Sequence, residues 1–412
     1  MVTAAYWGFT LSDGALRMLV LLHFFRLGYS PFTLAFLFLL YEAAGILANL
    51  GGGWLATRFG IPRMLAIGLG LQVAGLLMLS ALDPGWSATL SVAWVVAAQG
   101  VAGVAKDLTK TASKSAIKAT AGAGNGQLFR WVAWFTGSKN AMKGVGFFLG
   151  GLLLDVAGFR PALWLMAGAL AVVLAAAALS LPAGLGRAAS SKSMRELFSK
   201  SAGVNVLAAA RIFMFGARDV WFVVGLPVFL YSQGWSFMEV GGFLAAWTIG
   251  YGAVQAAAPM LVRRSPDGLS REVPAAQLWS GLLAAVPAAL AAAVLVPGPW
   301  PVDLVVVAGL ALFGLPFAVN SSLHSYLILA YAGSKKAAED VGFYYAANAA
   351  GRLAGTLLSG LLYQAGGLAG CLLGSAAMLA TCFAITWLLP GRAEATERQA
   401  STPPTSPRPS PP

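Results

Sequence analysis

Of the charged residues inside long apolar stretches of this sequence, eleven are candidate functional residues. Seven are basic: Arg17, Lys106, Lys139, Lys143, Arg211, Arg218 and Arg352. Four are acidic: Asp13, Glu42, Asp107 and Asp219. A charge within the hydrocarbon layer of a membrane costs roughly 3 kcal/mol or more, so such a residue normally faces a cavity and a partner. Cations outnumber anions, and Arg and Lys donate charge-assisted hydrogen bonds to phosphate and carboxylate oxygens. The basic set is therefore predicted to bind a small polyanion.

The four acidic residues are the candidates for coupling or gating. Burial disfavours the charged form of a carboxyl group, which makes Asp13, Glu42 and Asp219 candidates to carry a proton. A purely structural alternative stays open, because Arg218 lies beside Asp219 and Arg17 lies one helical turn from Asp13. Either arrangement is typical of a local ion pair.

The basic residues also differ in their sequence surroundings. Arg211 lies near the start of its apolar stretch, from which its side chain can snorkel to the membrane surface. No acidic residue lies within four positions of Lys143 or Arg352. That isolation favours an external anion as the partner of these two residues.

A ladder of lysines runs through the segment GVAKDLTKTASKSAIKAT, residues 103–120. Lys106, Lys110, Lys114 and Lys118 recur every four positions, which stacks them on one helix face, where like charges repel by a few tenths of a kcal/mol per pair. We predict that Lys114 and Lys118 lie outside the bilayer as cytoplasmic positive charge. Lys106 and Lys110 are predicted to lie at the cavity mouth and to attract an anion toward the lysines of the next stretch.

The elements that position these residues are membrane spans. Only 10% of the residues are charged, against roughly 25% in a soluble domain. Apolar runs of about 20 residues predict transmembrane helices. The predicted spans are 6–26, 33–56, 62–82, 86–107, 138–157, 161–182, 203–230, 235–261, 274–296, 301–330, 340–364 and 368–389. The chain is thus predicted to be an all-α polytopic membrane protein with twelve transmembrane helices, whose surroundings are a lipid bilayer.

The net charge of +12 is distributed unevenly between the predicted loops. Alternate loops carry most of the Lys and Arg, while the opposite side receives only Arg26 and Arg160. By the positive-inside rule, both termini are predicted to lie in the cytoplasm, with the protein in the cytoplasmic (inner) membrane. This asymmetry explains the basic composition without a nucleic-acid partner.

The second half of the sequence repeats the first. At an offset of 206 residues Asp13 falls on Asp219, and at 209 residues Lys143 falls on Arg352. Such a duplication is typical of a transporter with its site between two halves. The predicted organisation is an N-terminal six-helix half (1–185), a cytoplasmic linker (186–202), a C-terminal six-helix half (203–391) and a disordered Pro/Ser-rich tail (392–412).

Several segments resemble known families. GGWLATRFGIPR, residues 52–63, resembles the loop signature of the major facilitator superfamily, although Thr57 stands where that family has an acidic residue. A narrower resemblance is to the ArsJ-type organoarsenical efflux permeases. It is carried by YWGFTLSDGALRMLVLLHF (6–24), KDLTKTASKSAIK (106–118), TGSKNAMKGVGFFLGGLLL (136–154) and ARIFMFGARDVWFVVGLPVF (210–229).

The resemblance implies the major facilitator fold and export of 1-arseno-3-phosphoglycerate, giving arsenate resistance. A glyceraldehyde-3-phosphate dehydrogenase would be the functional partner, since it forms this ester when arsenate replaces phosphate. The open alternatives are an organophosphate or anion exchanger, a multidrug–proton antiporter and a non-transporting membrane sensor.

Enzyme chemistry is not indicated. The two histidines, His23 and His324, have no Cys or acidic residue at ligand spacing, so no metal site is predicted. No Walker or Rossmann glycine pattern is present. We therefore expect no cofactor. We expect the energy for transport to come from an ion gradient or from substrate exchange.

Overall fold

The structure is a computed structural model. It describes residues 1–48, 60–120, 127–181, 201–262, 265, 269–296, 298–331 and 337–390, with the backbone alone for 114–115, 117–120, 127–137, 259 and 337–339. Within those ranges the first six helices are α1 (Val2–Arg26), α2 (Pro31–Ala48), α3 (Ile61–Ser80), α4 (Ala88–Thr120), α5 (Gln127–Val156) and α6 (Phe159–Ser180). The next six are α7 (Ala202–Ser232), α8 (Phe237–Leu261), α9 (Glu272–Leu295), α10 (Val302–Tyr331), α11 (337–365) and α12 (368–386).

These helices agree with the predicted spans. Ten continuous stretches of the described residues are long and apolar enough to cross a membrane, and the last, Asp340–Thr386, contains both α11 and α12. The chain turns between those two at Gly366 and Gly367, which leave the helical conformation. The remaining helix, α5, is less apolar because it carries Lys139 and Lys143. The prediction of an all-helical, twelve-helix membrane fold is confirmed.

The repeat is visible in the turns. Gly28, between α1 and α2, has φ of 86°, and Gly234, between α7 and α8, has φ of 92°. A left-handed conformation at both places favours glycine. Ser30 and Ser236 then cap the following helices, each accepting a bond from a backbone N–H three residues on. Equivalent positions of the two halves therefore build the same hairpin.

Small residues let two helices approach closely in each half. In the N-terminal half α5 packs on α1, and a Cβ on Gly14 would lie 2.7 Å from the Lys143 carbonyl oxygen. In the C-terminal half α11 packs on α7, and a Cβ on Gly355 would lie 2.9 Å from the Asp219 Cβ. Glycine contacts of this kind hold membrane helices together. They bring Lys143 of α5 close to Asp13 of α1, and Arg352 of α11 close to Asp219 of α7.

The halves meet along two helix pairs, α5 with α8 and α2 with α11. At the end of the bundle where α1 joins α2, the Phe32 N–H donates to Gln364 Oε1 (3.4 Å), and the Met238 N–H donates to Asp155 Oδ2 (3.2 Å). Cross-half contacts therefore close this end of the interface. The predicted linker (186–202) and tail (392–412) lie almost wholly outside the described residues, as does most of the loop signature at 52–63.

Candidate functional site

A chain of charges crosses the interface between the two halves. Glu42 Oε1 accepts hydrogen bonds from Arg17 (2.6 Å) and from Arg352 (2.8 Å). Arg352 also donates through Nε to Asp219 Oδ2 (3.2 Å), and Arg218 donates through Nε to Asp219 Oδ1 (2.7 Å). The order Arg17–Glu42–Arg352–Asp219–Arg218 thus joins α1 and α2 to α11 and α7. All five lie near the middles of their helices, which places the cluster at the depth where transporters of this architecture bind their cargo.

Arg352 differs from its sequence-based expectation. Its isolation in sequence favoured an external anion, yet it contacts one acid from each half, Glu42 and Asp219. Glu42 is 310 residues away in the chain, so no local pattern indicates the pair. Two of the guanidinium nitrogens, Nε and Nη2, make these bonds. Arg carries five N–H donors, so Arg352 retains donors for an additional anion.

Asp13 does not form the predicted pair with Arg17. Tyr41 donates its hydroxyl to Asp13 Oδ1 at 2.6 Å, and Arg17 turns to Glu42 instead. The partners of Asp13 and Arg17, two residues of α1, therefore both lie on α2. The predicted pair of Arg218 with Asp219 is present. The two symmetry-related acids consequently differ, since Asp219 contacts two guanidinium groups and Asp13 a neutral phenol.

Lys143 faces the same cluster from α5. It lies near enough to Asp13, Arg17, Arg218 and Arg352 to interact electrostatically with them. Its Nζ lies 5.5 Å from the ring centroid of Phe147. Among the described residues, no ion pair or hydrogen bond to its ammonium group is present. Lys143 is partly buried, a charge withdrawn from water without a counter-charge is costly, and an anion entering the cluster would supply one.

The lysine ladder begins at the edge of the cluster. Lys106 places its Nζ 3.8 Å from the Tyr41 ring centroid. Asp107 pairs with two lysines of the ladder: its Oδ2 lies 3.9 Å from Lys106 Nζ, and its Oδ1 lies 3.6 Å from Lys110 Nζ. Lys139 is partly buried on α5, one helical turn before Lys143. The side chains of Lys114 and Lys118 lie outside the described set, so their predicted exposure remains a prediction.

Arg211 is not at the membrane surface. Its side chain is buried, with 4% exposed. Its Nε donates to Asn348 Oδ1 (3.0 Å), and Nη1 donates to Ser321 Oγ (3.2 Å). The interpretation of Arg211 as a snorkelling residue is therefore wrong, because these interior hydrogen bonds hold it in the C-terminal half.

Sequence reasoning missed several neutral residues of the site. Tyr41 links Asp13 to Lys106, and Phe215 lies beneath both Arg211 and Arg218, at 3.9 and 5.0 Å from their guanidinium carbons. An aromatic residue in an apolar helix carries no distinguishing signal, because most such residues pack in the core. Polar amides were the available signal, as Asn140 and Gln255 bond across the interface at 3.5 Å.

No cluster suited to a metal ion occurs among the residues that the structure describes. His23 stacks on Phe159 with ring centroids 3.9 Å apart. His324 is fully buried in α10. Cys371 and Cys382 are buried free thiols in α12.

Comparisons with known proteins identify the fold. The profile of the Major Facilitator Superfamily matches residues 2–334. No curated protein matches the chain in a sequence search. Among solved structures, that of the human organic anion transporter MFSD10 (TETRAN) superposes with a TM-score of 0.65 at 17% identity, covering 93% of this chain and 98% of that one.

Two further solved structures show the same architecture. A point mutant of the nucleoside transporter NupG superposes with a TM-score of 0.71 at 14% identity, covering 94% of this chain and 98% of that one. The D-xylose–proton symporter gives a TM-score of 0.70 at 13% identity, covering 95% and 96%. The superpositions show the fold, and the profile match over residues 2–334 shows the family, which is one of membrane transporters. The chain belongs to the major facilitator superfamily.

Proposed function

We propose that this transporter exports a small organic anion from the cytoplasm, most specifically 1-arseno-3-phosphoglycerate, and so confers arsenate resistance. The observation that carries the proposal is the positive charge at the interface of the halves. The central cluster contains four basic residues (Arg17, Lys143, Arg218 and Arg352) and three acidic ones (Asp13, Glu42 and Asp219). A cationic or apolar cargo gains nothing from that surplus, whereas an anion gains a counter-charge in Lys143.

The proposed route uses alternating access about this cluster. An anion attracted by Lys106 and Lys110 would enter between the halves and reach Lys143 and the unused donors of Arg352. The basic loops support an orientation with both termini in the cytoplasm of an inner membrane. That orientation makes the lysine ladder the cytoplasmic entrance, as export requires.

The ester requires an enzyme that makes it, so the proposal includes a glyceraldehyde-3-phosphate dehydrogenase as functional partner. We expect an arsenate-sensitive host to grow on arsenate only when the transporter and a suitable dehydrogenase are expressed together. Either protein alone should leave the host sensitive, because the dehydrogenase cannot export the ester and the transporter has no ester to export. Growth is measured across an arsenate series at matched membrane abundance.

Full resistance from the transporter alone, in cells that lack such a dehydrogenase, would contradict the proposed cargo. Everted vesicles test the alternatives. Exchange of phosphate against glycerol 3-phosphate would favour an organophosphate exchanger, and proton-driven uptake of a cationic dye would favour a multidrug antiporter. Failure to move any of these solutes or the ester would favour a membrane sensor.

The two aspartates are proposed to act differently in coupling. Asp219 forms ion pairs with two guanidinium groups, whereas Asp13 accepts a hydrogen bond from the Tyr41 hydroxyl and has no ion pair among the described residues. Asp13 is therefore the better candidate for proton transfer, and Asp219 for gating through Arg352. We expect Asp13→Asn to flatten the pH dependence of transport in vesicles. Asp219→Asn should lower the rate at every pH. Unchanged rate and pH dependence in both variants, at normal expression, would make both acids structural.

A further inference from the structure

Arg211 occupies a polar pocket beside the central cluster. Its hydrogen bonds go to Asn348 Oδ1, Ser321 Oγ and the Ser321 carbonyl oxygen, all of them neutral acceptors. Among the described residues, no carboxylate forms an ion pair with it. A guanidinium that is 96% buried is normally paired, because an isolated buried charge is costly. Nη2 takes part in none of these bonds, so the pocket retains a charged donor.

His324 provides a second, independent sign of a missing ligand. It lies one helical turn beyond Ser321 on the same face of α10 and interacts electrostatically with Arg211. It is fully buried, and both ring nitrogens lack a hydrogen-bond partner in the part of the chain that the structure describes. An imidazole that satisfies neither nitrogen is unusual in a folded interior. A hydrogen-bonding ligand beside Arg211 would satisfy it.

A series of polar contacts runs from the Arg211 pocket to α5. Gln255 Nε2 donates to Ser321 Oγ (3.3 Å), and Asn140 Nδ2 donates to Gln255 Oε1 (3.5 Å). Asn140 lies one turn from Lys143 on α5. The guanidinium carbons of Arg211 and Arg218 lie 3.9 and 5.0 Å from the centroid of the same Phe215 ring. The two cations are thus no farther apart than the sum of those distances.

From this geometry we infer that the Arg211 pocket is a second anion subsite, so that the transporter holds a cargo with a phosphate-type group at each end. One end binds at Lys143 and Arg352, and the other binds at Arg211 and His324. When two phosphate-type groups are joined through a three-carbon diol, six bonds separate their central atoms. Two extended residues also contain six backbone bonds, so the separation is about 7 Å at full extension. That length lies within the bound that the shared Phe215 ring sets on the separation of Arg211 from Arg218, and Arg218 adjoins Arg352 through Asp219. The inference rests on the proposed function, because it assigns the cargo class of the same cavity.

Two matched probes test the subsite on the purified, full-length transporter. Propane-1,3-diyl bisphosphate carries both groups, and propyl phosphate carries one. We expect the bisphosphate to bind at least about 30-fold more tightly, the range for pairing one additional desolvated charge. Arg211→Gln should remove that advantage, so that the two probes bind with similar affinity. Binding is measured by ligand-induced stabilisation and by calorimetry in detergent, which need no transport activity.

His324→Leu is the second variant, since it removes both nitrogens at similar volume. It should weaken bisphosphate binding by roughly 10- to 100-fold, as for a lost hydrogen bond to a charged group, and weaken propyl phosphate binding less. Equal affinity of the wild-type protein for the two probes would overturn the inference. So would an equal loss for both probes in Arg211→Gln, or unchanged bisphosphate binding in both variants. Monodispersity on size exclusion establishes that each variant is folded.

These outcomes separate the subsite from the proposed function. Arsenate resistance that requires the dehydrogenase, together with equal affinity for the two probes, would leave the proposed function standing and reject the subsite. An Arg211-dependent preference for the bisphosphate without arsenate resistance would support the subsite and reject the arseno-ester as cargo.

Discussion

Replacing Lys143 with Gln is expected to weaken binding of the organic anion by roughly 30- to several-thousand-fold. This corresponds to the loss of about 2–5 kcal/mol when one partner of a buried charge pair is removed. The described residues offer its ammonium group no ion pair, so the bound cargo would be its counter-charge. The affinity is measured on purified protein and the transport rate in everted vesicles, both at matched abundance.

Stability distinguishes binding from a structural role. Lys143→Gln removes a partly buried charge that has no ion pair among the described residues, so the unliganded protein should unfold at the same temperature as wild type or higher. Lys118→Gln is the matched control, because a lysine at its predicted position outside the bilayer would contribute only attraction that salt screens over about 8 Å. A mild effect of Lys143→Gln on binding, with a large loss of stability, would make Lys143 structural. Severe loss at Lys118 with normal Lys143 would move the site to the cytoplasmic extension.

Glu42→Gln is expected to lower the free energy of unfolding by about 3–5 kcal/mol, the cost of removing one partner from a buried ion pair. Glu42 is 1% exposed and accepts bonds from Arg17 and Arg352 through a single oxygen. After the substitution Arg352 keeps Asp219, but no carboxylate of the described residues remains in contact with Arg17. The ion pair between the halves through Arg352 is lost as well. Thermal and denaturant unfolding in detergent measure the change.

A double-mutant cycle with Arg17→Gln supplies the control. Because Glu42→Gln leaves Arg17 as an unpaired buried charge, removing both charges should restore much of the stability lost by either single variant. Additive losses would mean that the two residues do not depend on each other. Transport is expected to stay impaired in the double variant, since Arg352 then lacks its partner in the N-terminal half and the gate between the halves is weakened.

The spans and the duplication could be predicted from the sequence because both are encoded locally. Apolar runs of about 20 residues form helices in a lipid layer that offers the backbone no other partners. The structure adds that Gly28 and Gly234, with Ser30 and Ser236, build equivalent hairpins, since a left-handed turn and an N-cap depend on a few adjacent residues. The cost of charge in the membrane also singled out the candidate residues before their contacts were known.

Only the tertiary structure decided which charge meets which. Arg17 and Asp13 lie one turn apart, yet each contacts α2 instead, through Glu42 and Tyr41. Arg352 meets Glu42 across 310 residues of sequence. Such partners depend on which helices pack together and at what rotation, and small residues such as Gly14 and Gly355 set this through close approach. The cost of a charge in the membrane determines that these residues need partners, and the packing of the helices determines which residues those partners are.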